Sequence, residues 1–244
     1  MAEGAREHVV VAIDGPAASG KSSTAQWVAE RLGYLHVDSG ALYRAVTALA
    51  VAEAGDPAEW TPERVVALAA RVGAAGAGST FVTTVDGAPA DEALRGAHVT
   101  RMVSKVAQIP EVRAWVNEQV RGLAGTRDVV VDGRDIGTVV LPSAPLKIFL
   151  VADPWERARR RLVQQLARRP TDDEIAAETE RLVQRDSRDA TQTVQAKDAV
   201  LIDTTYLTQA EQVDRIVALA RALARGVTRS TNDTSPIDDG SGPT

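Results

Sequence analysis

The stretch His8-Val9-Val10-Val11-Ala12-Ile13-Asp14-Gly15-Pro16-Ala17-Ala18-Ser19-Gly20-Lys21-Ser22 decides the fold. Its first seven residues form a β-branched apolar run, which predicts a fully buried parallel strand. From Gly15 on, the spacing is G-x-x-x-x-G-K-[ST]. Ser22 to Leu32 then carries apolar Ala25, Val28, Ala29 and Leu32 at three- and four-residue intervals with Gly33 at its end, which predicts a helix. Between a strand and a helix, glycines let the backbone curl until its N–H groups face an anion, and the helix amino terminus adds partial positive charge. Gly15, Pro16, Ala17, Ala18, Ser19, Gly20, Lys21, Ser22 and Ser23 are therefore the expected ATP-binding residues. Lys21 reaches the outer phosphates, and the Ser22 hydroxyl is the expected Mg²⁺ ligand.

Working outward, Tyr34–Val37 reads as a second strand and Ser39–Glu53 as a second helix, closed by Gly55-Asp56-Pro57. A short helix near Pro62–Ala70 leads through the small-residue segment Gly73–Gly78, taken as a connector, into Thr80–Gly87, which alternates like a hairpin strand. Two helices divided by Pro110 follow, then the buried strands Val129–Asp132 and Leu146–Ala152. Arginine-rich helices at Pro154–Ala167 and Asp172–Arg188, the strand Ala199–Asp203 and an amphipathic helix from Thr208 to about Ala224 complete the pattern. Apolar strands alternating with helices predict an α/β layered fold with a mostly parallel sheet, here a P-loop NTPase. The expected divisions are a core at 8–56 and 97–225, an inserted subdomain at 57–96, a lid at 157–171, and a disordered tail at 226–244 rich in Ser, Thr, Asp, Gly and Pro.

Composition narrows the function. Among 244 residues there is no cysteine, which removes disulfide frameworks, thiolate metal sites and cysteine nucleophiles, and makes a reduced, cytoplasmic setting the default. Met1–His8 lacks the basic flank and apolar core of a signal peptide, and no run reaches the ~18 apolar residues of a membrane span. A net charge of −5 argues against a nucleic-acid coat. Of 28 basic residues, 24 are arginine, several placed near strand ends. Two classes compete for a P-loop chain: a nucleotide-hydrolysing switch or motor, and a small-molecule kinase. Guanine-reading switches carry Asn-Lys-x-Asp, yet neither Asn117 nor Asn232 precedes a lysine, and no repeat suggests a motor. Arg44 and Arg134, each just past the end of an element, can fork bidentately onto a phosphate; ordinary surface ion pairs are the alternative.

From about Val9 to Ala224 the chain resembles the bacterial cytidylate kinases. The resemblance rests on Ile13-Asp14-Gly15-Pro16 with the loop to Ser22, on Asp38-Ser39-Gly40-Ala41-Leu42-Tyr43-Arg44, on Asp132-Gly133-Arg134-Asp135-Ile136-Gly137-Thr138, and on Arg185-Asp186 with Asp189. It implies phosphoryl transfer from ATP to CMP or dCMP with Mg²⁺, by a monomer with a monophosphate-binding insert and a mobile lid. By that likeness Arg44 and Arg134 bind the acceptor phosphate and Asp135 accepts from the cytosine amino group. Arg113 and Ser104 face the rest of the base, Ser39 and Tyr43 line the same pocket, and Arg185 and Asp189 hold the ribose. Lid arginines, expected here as Arg157 and Arg161, cover ATP; a solvated basic face is the alternative for that helix. Lys21, Arg134, Arg157 and Arg161 form the expected catalytic set. No histidine is required, and His8, His36 and His98 read as strand-edge or surface residues. The chain departs from the family at Gln192, where an arginine that ligates the acceptor phosphate is expected. Either Arg188 or Lys197 substitutes from a nearby position, or affinity for CMP is weakened.

Overall fold

β1 (Val10–Asp14) is the middle of the molecule: it pairs in parallel with β6 (Val129–Asp132) on one side and β7 (Leu146–Val151) on the other. Flanked by strands and covered on both faces, it can carry an unbroken apolar run, and Val11, Ala12 and Ile13 are fully buried. Val11 and Ile13 each contribute roughly 1.5–3 kcal/mol by leaving water. The computed structural model describes residues 8–77, 79–90, 94 and 96–231.

β2 (Leu35–Asp38) pairs in parallel with β6, and β8 (Val200–Asp203) with β7. β4 (Thr80–Val85) pairs antiparallel with both β3 (Val72–Ala77) and β5 (Ala88–Pro89). The sheet order is β3-β4-β2-β6-β1-β7-β8, with β5 on β4. On one face lie α1 (Lys21–Leu32) and α8 (Gln209–Thr231), burying Val28, Ile216 and Val217 against Val11 and Ile13. The opposite face carries α2 (Ser39–Glu53), α3 (Pro62–Ala69), α4 (Ala97–Val106) and α5 (Pro110–Ala124) over Val37, Val129 and Val131. α6 (Pro154–Leu166) and α7 (Asp172–Asp189) form a hairpin around Ala158, Leu162, Ile175 and Leu182, with Ala17 of the phosphate loop in the same cluster. The parallel strands all deliver their carboxyl ends to one edge, where Asp14, Asp38 and Asp132 stand. Ligand crevices of open α/β sheets form at that edge.

Two expectations are corrected. The Gly73–Gly78 connector is mostly strand: β3 pairs with β4 from Val72↔Val85 to Ala77↔Thr80. Alanine and glycine give no alternating pattern to read, so here the backbone ladder makes the strand. The 57–96 segment also joins the central sheet, through the single parallel pair His36↔Thr80. α8 continues to Thr231, so residues 226–231, expected in the tail, are helical. A docked helix propagates at one hydrogen bond per residue even where nothing remains to bury. Residues 1–7, on which the expected lack of a signal peptide falls, residues 78, 91–93 and 95 of the insert, and the tail beyond 231 lie outside the described residues.

Candidate active site

The phosphate loop is shaped by backbone before any side chain acts. Gly15 has φ +147°, and a Cβ there would collide with the Leu150 carbonyl oxygen of β7, so only glycine lets the loop leave β1 at this angle. Gly20 caps α1 with φ 88° and no side-chain cap, leaving the first N–H groups of the helix facing the loop. Lys21 curls back so that Nζ donates to Pro16 O at 2.6 Å, with Ser19 Oγ at 3.4 Å. Burial pushes the Lys21 ammonium well below its ordinary pKa; the charge of Arg134 adds to this, and Asp132 and Asp14 oppose it. Ser22 Oγ donates to Asp132 Oδ2 at 2.6 Å, while Asp132 Oδ1 lies 2.8 Å from His36 Nε2. Burial works against the Asp132 carboxylate, but His36, Ser22 and Lys21 together hold its pKa below the usual range.

Ala17 is gripped from the helical hairpin: its N–H donates to Asp186 Oδ1 at 3.0 Å, and its carbonyl accepts from Arg157 Nη1 at 2.7 Å. The same Nη1 donates to Asp186 Oδ2 at 2.6 Å. Arg157 is therefore corrected from a nucleotide-covering lid residue to a buried clamp on the loop, and it does not line the cavity. Its expected face-mates diverge as well. Arg160 donates to the carbonyls of Thr204 and Thr205, and Arg161 pairs with Glu178 at 3.1 Å while lining the cavity.

A cavity of about 1020 Å³ joins the loop to a second cluster of charge. Ala17, Ala18, Ser19, Gly20, Lys21, Ser22 and Ser23 line one end; Gly15 and Pro16 lie behind them. At the other end stand Arg44, Arg134, Arg161 and Arg185, with Asp189 3.6 Å from both Arg134 Nη2 and Arg185 Nε. Burial and then the like charge of Arg134 push the Arg185 guanidinium down to about 10, against the pull of Asp189. Arg161 and Arg44 act in the same direction. The Nε atoms of Arg134 and Arg185 are buried without hydrogen-bond partners, whereas Arg161 Nε faces Glu178. Donors this crowded and this under-answered make a site for a multiply charged anion.

Beside it, Arg113 Nη2 donates to Asp135 Oδ2, and its Nη1 to Ala107 O at 3.4 Å. Burial raises the Asp135 carboxyl, with Arg113 opposing. Ser39 Oγ donates to Asp132 O at 2.7 Å, Ser104 is buried in the wall, and burial pushes the Tyr43 hydroxyl up to about 12. All five residues line the cavity. Asp14 fixes the approach of this segment, accepting from the Ile136 and Gly137 N–H groups at 2.8 Å each. Its burial outweighs those bonds, and its pKa rises to about 6. Gln192 also lines the cavity and donates to Ala107 O at 3.2 Å. Arg188 and Lys197, the expected substitutes for an arginine there, are exposed and do not line it.

The cytidylate kinase family model matches residues 11–222. The chain belongs to the cytidylate kinase family. It is 42% identical over 225 residues to the cytidylate kinase of Salinibacter ruber, covering 88% of this chain and 97% of that protein. It is 41% identical over 225 residues to that of Streptomyces griseus, covering 89% and 94%. Among solved structures, the shikimate kinase from Bacteroides thetaiotaomicron is similar with a TM-score of 0.46 and 13% identity, covering 89% of this chain and 98% of that one.

In this member of the cytidylate kinase family, sequence reasoning missed Asp132 as a partner of Ser22, Asp186 as the loop clamp and Asp14 as an anchor. A signal existed for the first: an apolar run, Val129-Val130-Val131, ends in a carboxylate beside the phosphate-loop strand. His36 is corrected from a surface residue to a buried one, 9% exposed. Burial disfavours its imidazolium, yet Asp132 raises its pKa overall, with smaller help from Asp38 and Glu30. His8 and His98 are exposed.

Proposed function

We propose that this chain, a cytoplasmic monomer, transfers the γ-phosphoryl group of ATP to CMP and dCMP by direct in-line displacement within one cavity. The observation that carries the reading is the continuity of that cavity, with a phosphate loop at one end and four converging arginines and an Asp135–Arg113 pair at the other. Phosphoryl transfer is mainly positioning and neutralisation of charge, and no covalent nucleophile is needed. Lys21 neutralises the outer phosphates of ATP. Arg44, Arg134 and Arg185 hold the acceptor monophosphate, whose oxygen attacks the γ-phosphorus as ADP leaves, and Arg161 offsets charge on the transferring group. Cytosine presents an amino donor beside ring acceptors; Asp135 accepts from the first, while Arg113 and Ser104 donate to the others. Arg185 and Asp189 reach the ribose, and Ser39 and Tyr43 close the pocket. ATP is the co-substrate of the family.

Among the described residues no cluster of three or more His, Cys, Asp or Glu could cage a metal. Mg²⁺ does not require one, because it keeps several waters and binds through one or two protein oxygens plus phosphates. Ser22 and Asp132, a hydroxyl and a carboxylate in contact beside the loop, are such a donor set. Bound there, Mg²⁺ would neutralise phosphate charge. Among the described residues no helix is long and apolar enough to cross a membrane.

A coupled assay with ATP and each nucleoside monophosphate tests the assignment. Turnover of CMP and dCMP should exceed that of UMP, AMP and GMP; equal or greater use of any of these three overturns the base reading. ATP hydrolysis that no monophosphate stimulates overturns the kinase reading.

A further inference from the structure

We propose that His36 is a positioning residue which, by holding one oxygen of Asp132, keeps the other against Ser22 and so sets the divalent-cation affinity of the nucleotide site. The inference rests on the reading of Ser22 and Asp132 as the cation-holding pair. β2 and β6 lie side by side in parallel register, with His36 opposite Val130 and Asp38 opposite Asp132, so the His36 ring reaches Asp132 from the neighbouring strand. Nε2 lies 2.8 Å from Asp132 Oδ1, and Ser22 Oγ lies 2.6 Å from Asp132 Oδ2. An ionised carboxylate only accepts, which assigns the shared proton to Nε2. Each Asp132 oxygen then has its own donor, and the carboxylate cannot rotate about its Cβ–Cγ bond without losing both. With its proton committed to Asp132, the Ser22 hydroxyl keeps its lone pairs for a cation. His36 is itself buried and does not line the cavity, whereas Asp132 does, so its effect on the site runs through Asp132. Partners of this kind, one step behind a ligand, change metal affinity by roughly 10–100-fold when removed.

The test compares the affinity of the full chain for ADP with and without Mg²⁺ by calorimetry, alongside Mn²⁺ binding to the protein–ADP complex by electron paramagnetic resonance. His36→Leu should weaken MgADP and Mn²⁺ binding by roughly tenfold or more. Metal-free ADP affinity and the KM for CMP should stay within about twofold of wild type. His36→Gln, whose amide nitrogen can donate from nearly the same place, should recover most of the loss. A folded His36→Leu protein with unchanged Mg²⁺ dependence overturns the inference, as does an equal loss for ADP and MgADP. Ser22→Ala separates the two readings. If it weakens Mn²⁺ binding while His36→Leu does not, the positioning role alone fails; if neither does, the cation-holding pair fails and His36 with it.

Discussion

At the donor end of the cavity, Lys21, Ser22, Asp132 and both polar groups of Ala17 find their partners within the protein. At the acceptor end, Arg134 and Arg185 share one weakly placed carboxylate, Asp189, and their buried Nε atoms make no hydrogen bond. The first region is closed by hydrogen bonds within the protein. The second holds like charges close together, and under the proposed reading a bound phosphate offsets their repulsion. Stability and binding should therefore respond oppositely to mutation at the two ends.

The largest effect belongs to the donor end. Arg157→Ala leaves Asp186 without its buried cation, and should cost about 3–5 kcal/mol of unfolding free energy in urea. Its KM for CMP should change little, and a stability loss below about 1 kcal/mol would break the contrast. At the seam between the ends, the Asp14 carboxyl binds its proton more tightly in the folded chain, at about 6 against 3.8. A group raised in this way stabilises the fold below its unfolded value, and that contribution fades as pH climbs. Stability should fall by about 3 kcal/mol between roughly pH 4 and pH 6 on this account, and Asp14→Asn should flatten that slope in denaturation measured across the range. At the acceptor end, Arg185→Ala should raise the KM for CMP by roughly 10–150-fold, the equivalent of about 1.5–3 kcal/mol for a charged hydrogen bond. Its Tm should hold or rise, because a repelled cation has gone; a clear drop in Tm would mean that Asp189 outweighs the repulsion. The smallest effect is expected from Gln192→Arg, which adds a cation to the same ring. It should lower the KM for CMP by no more than about tenfold and lower the Tm, while Arg188→Ala and Lys197→Ala change neither.

The phosphate loop of the donor end was legible in the sequence because one continuous segment builds it, whereas Asp132, Arg157 and Asp186, which hold that loop from distant elements, were not legible there as its partners. The acceptor end was legible only through family likeness, since Arg44, Arg134 and Arg185 come from three separated elements that no local pattern joins. Helical spacing places arginines on α6, but spacing names no target. Arg157 meets Ala17 and Asp186, Arg160 meets two carbonyls beyond β8, and Arg161 meets Glu178. His36 was misread for a related reason: strand alternation cannot distinguish a polar side chain that faces water from one that faces a buried carboxylate on the next strand. β3 stayed hidden because its Ala and Gly residues carry no signal of their own, and its partner strand supplies the order.

One turn of α7 serves both ends at once. Asp186 grips the phosphate loop through the Ala17 N–H, while Arg185 and Asp189, its immediate neighbour and the residue one turn on, line the far end of the cavity. Any rotation of α7 that withdraws Arg185 and Asp189 from the cavity also pulls Asp186 off the loop. The turn is a mechanical gauge that ties the two ends of the cavity together, so neither end can loosen without the other feeling it.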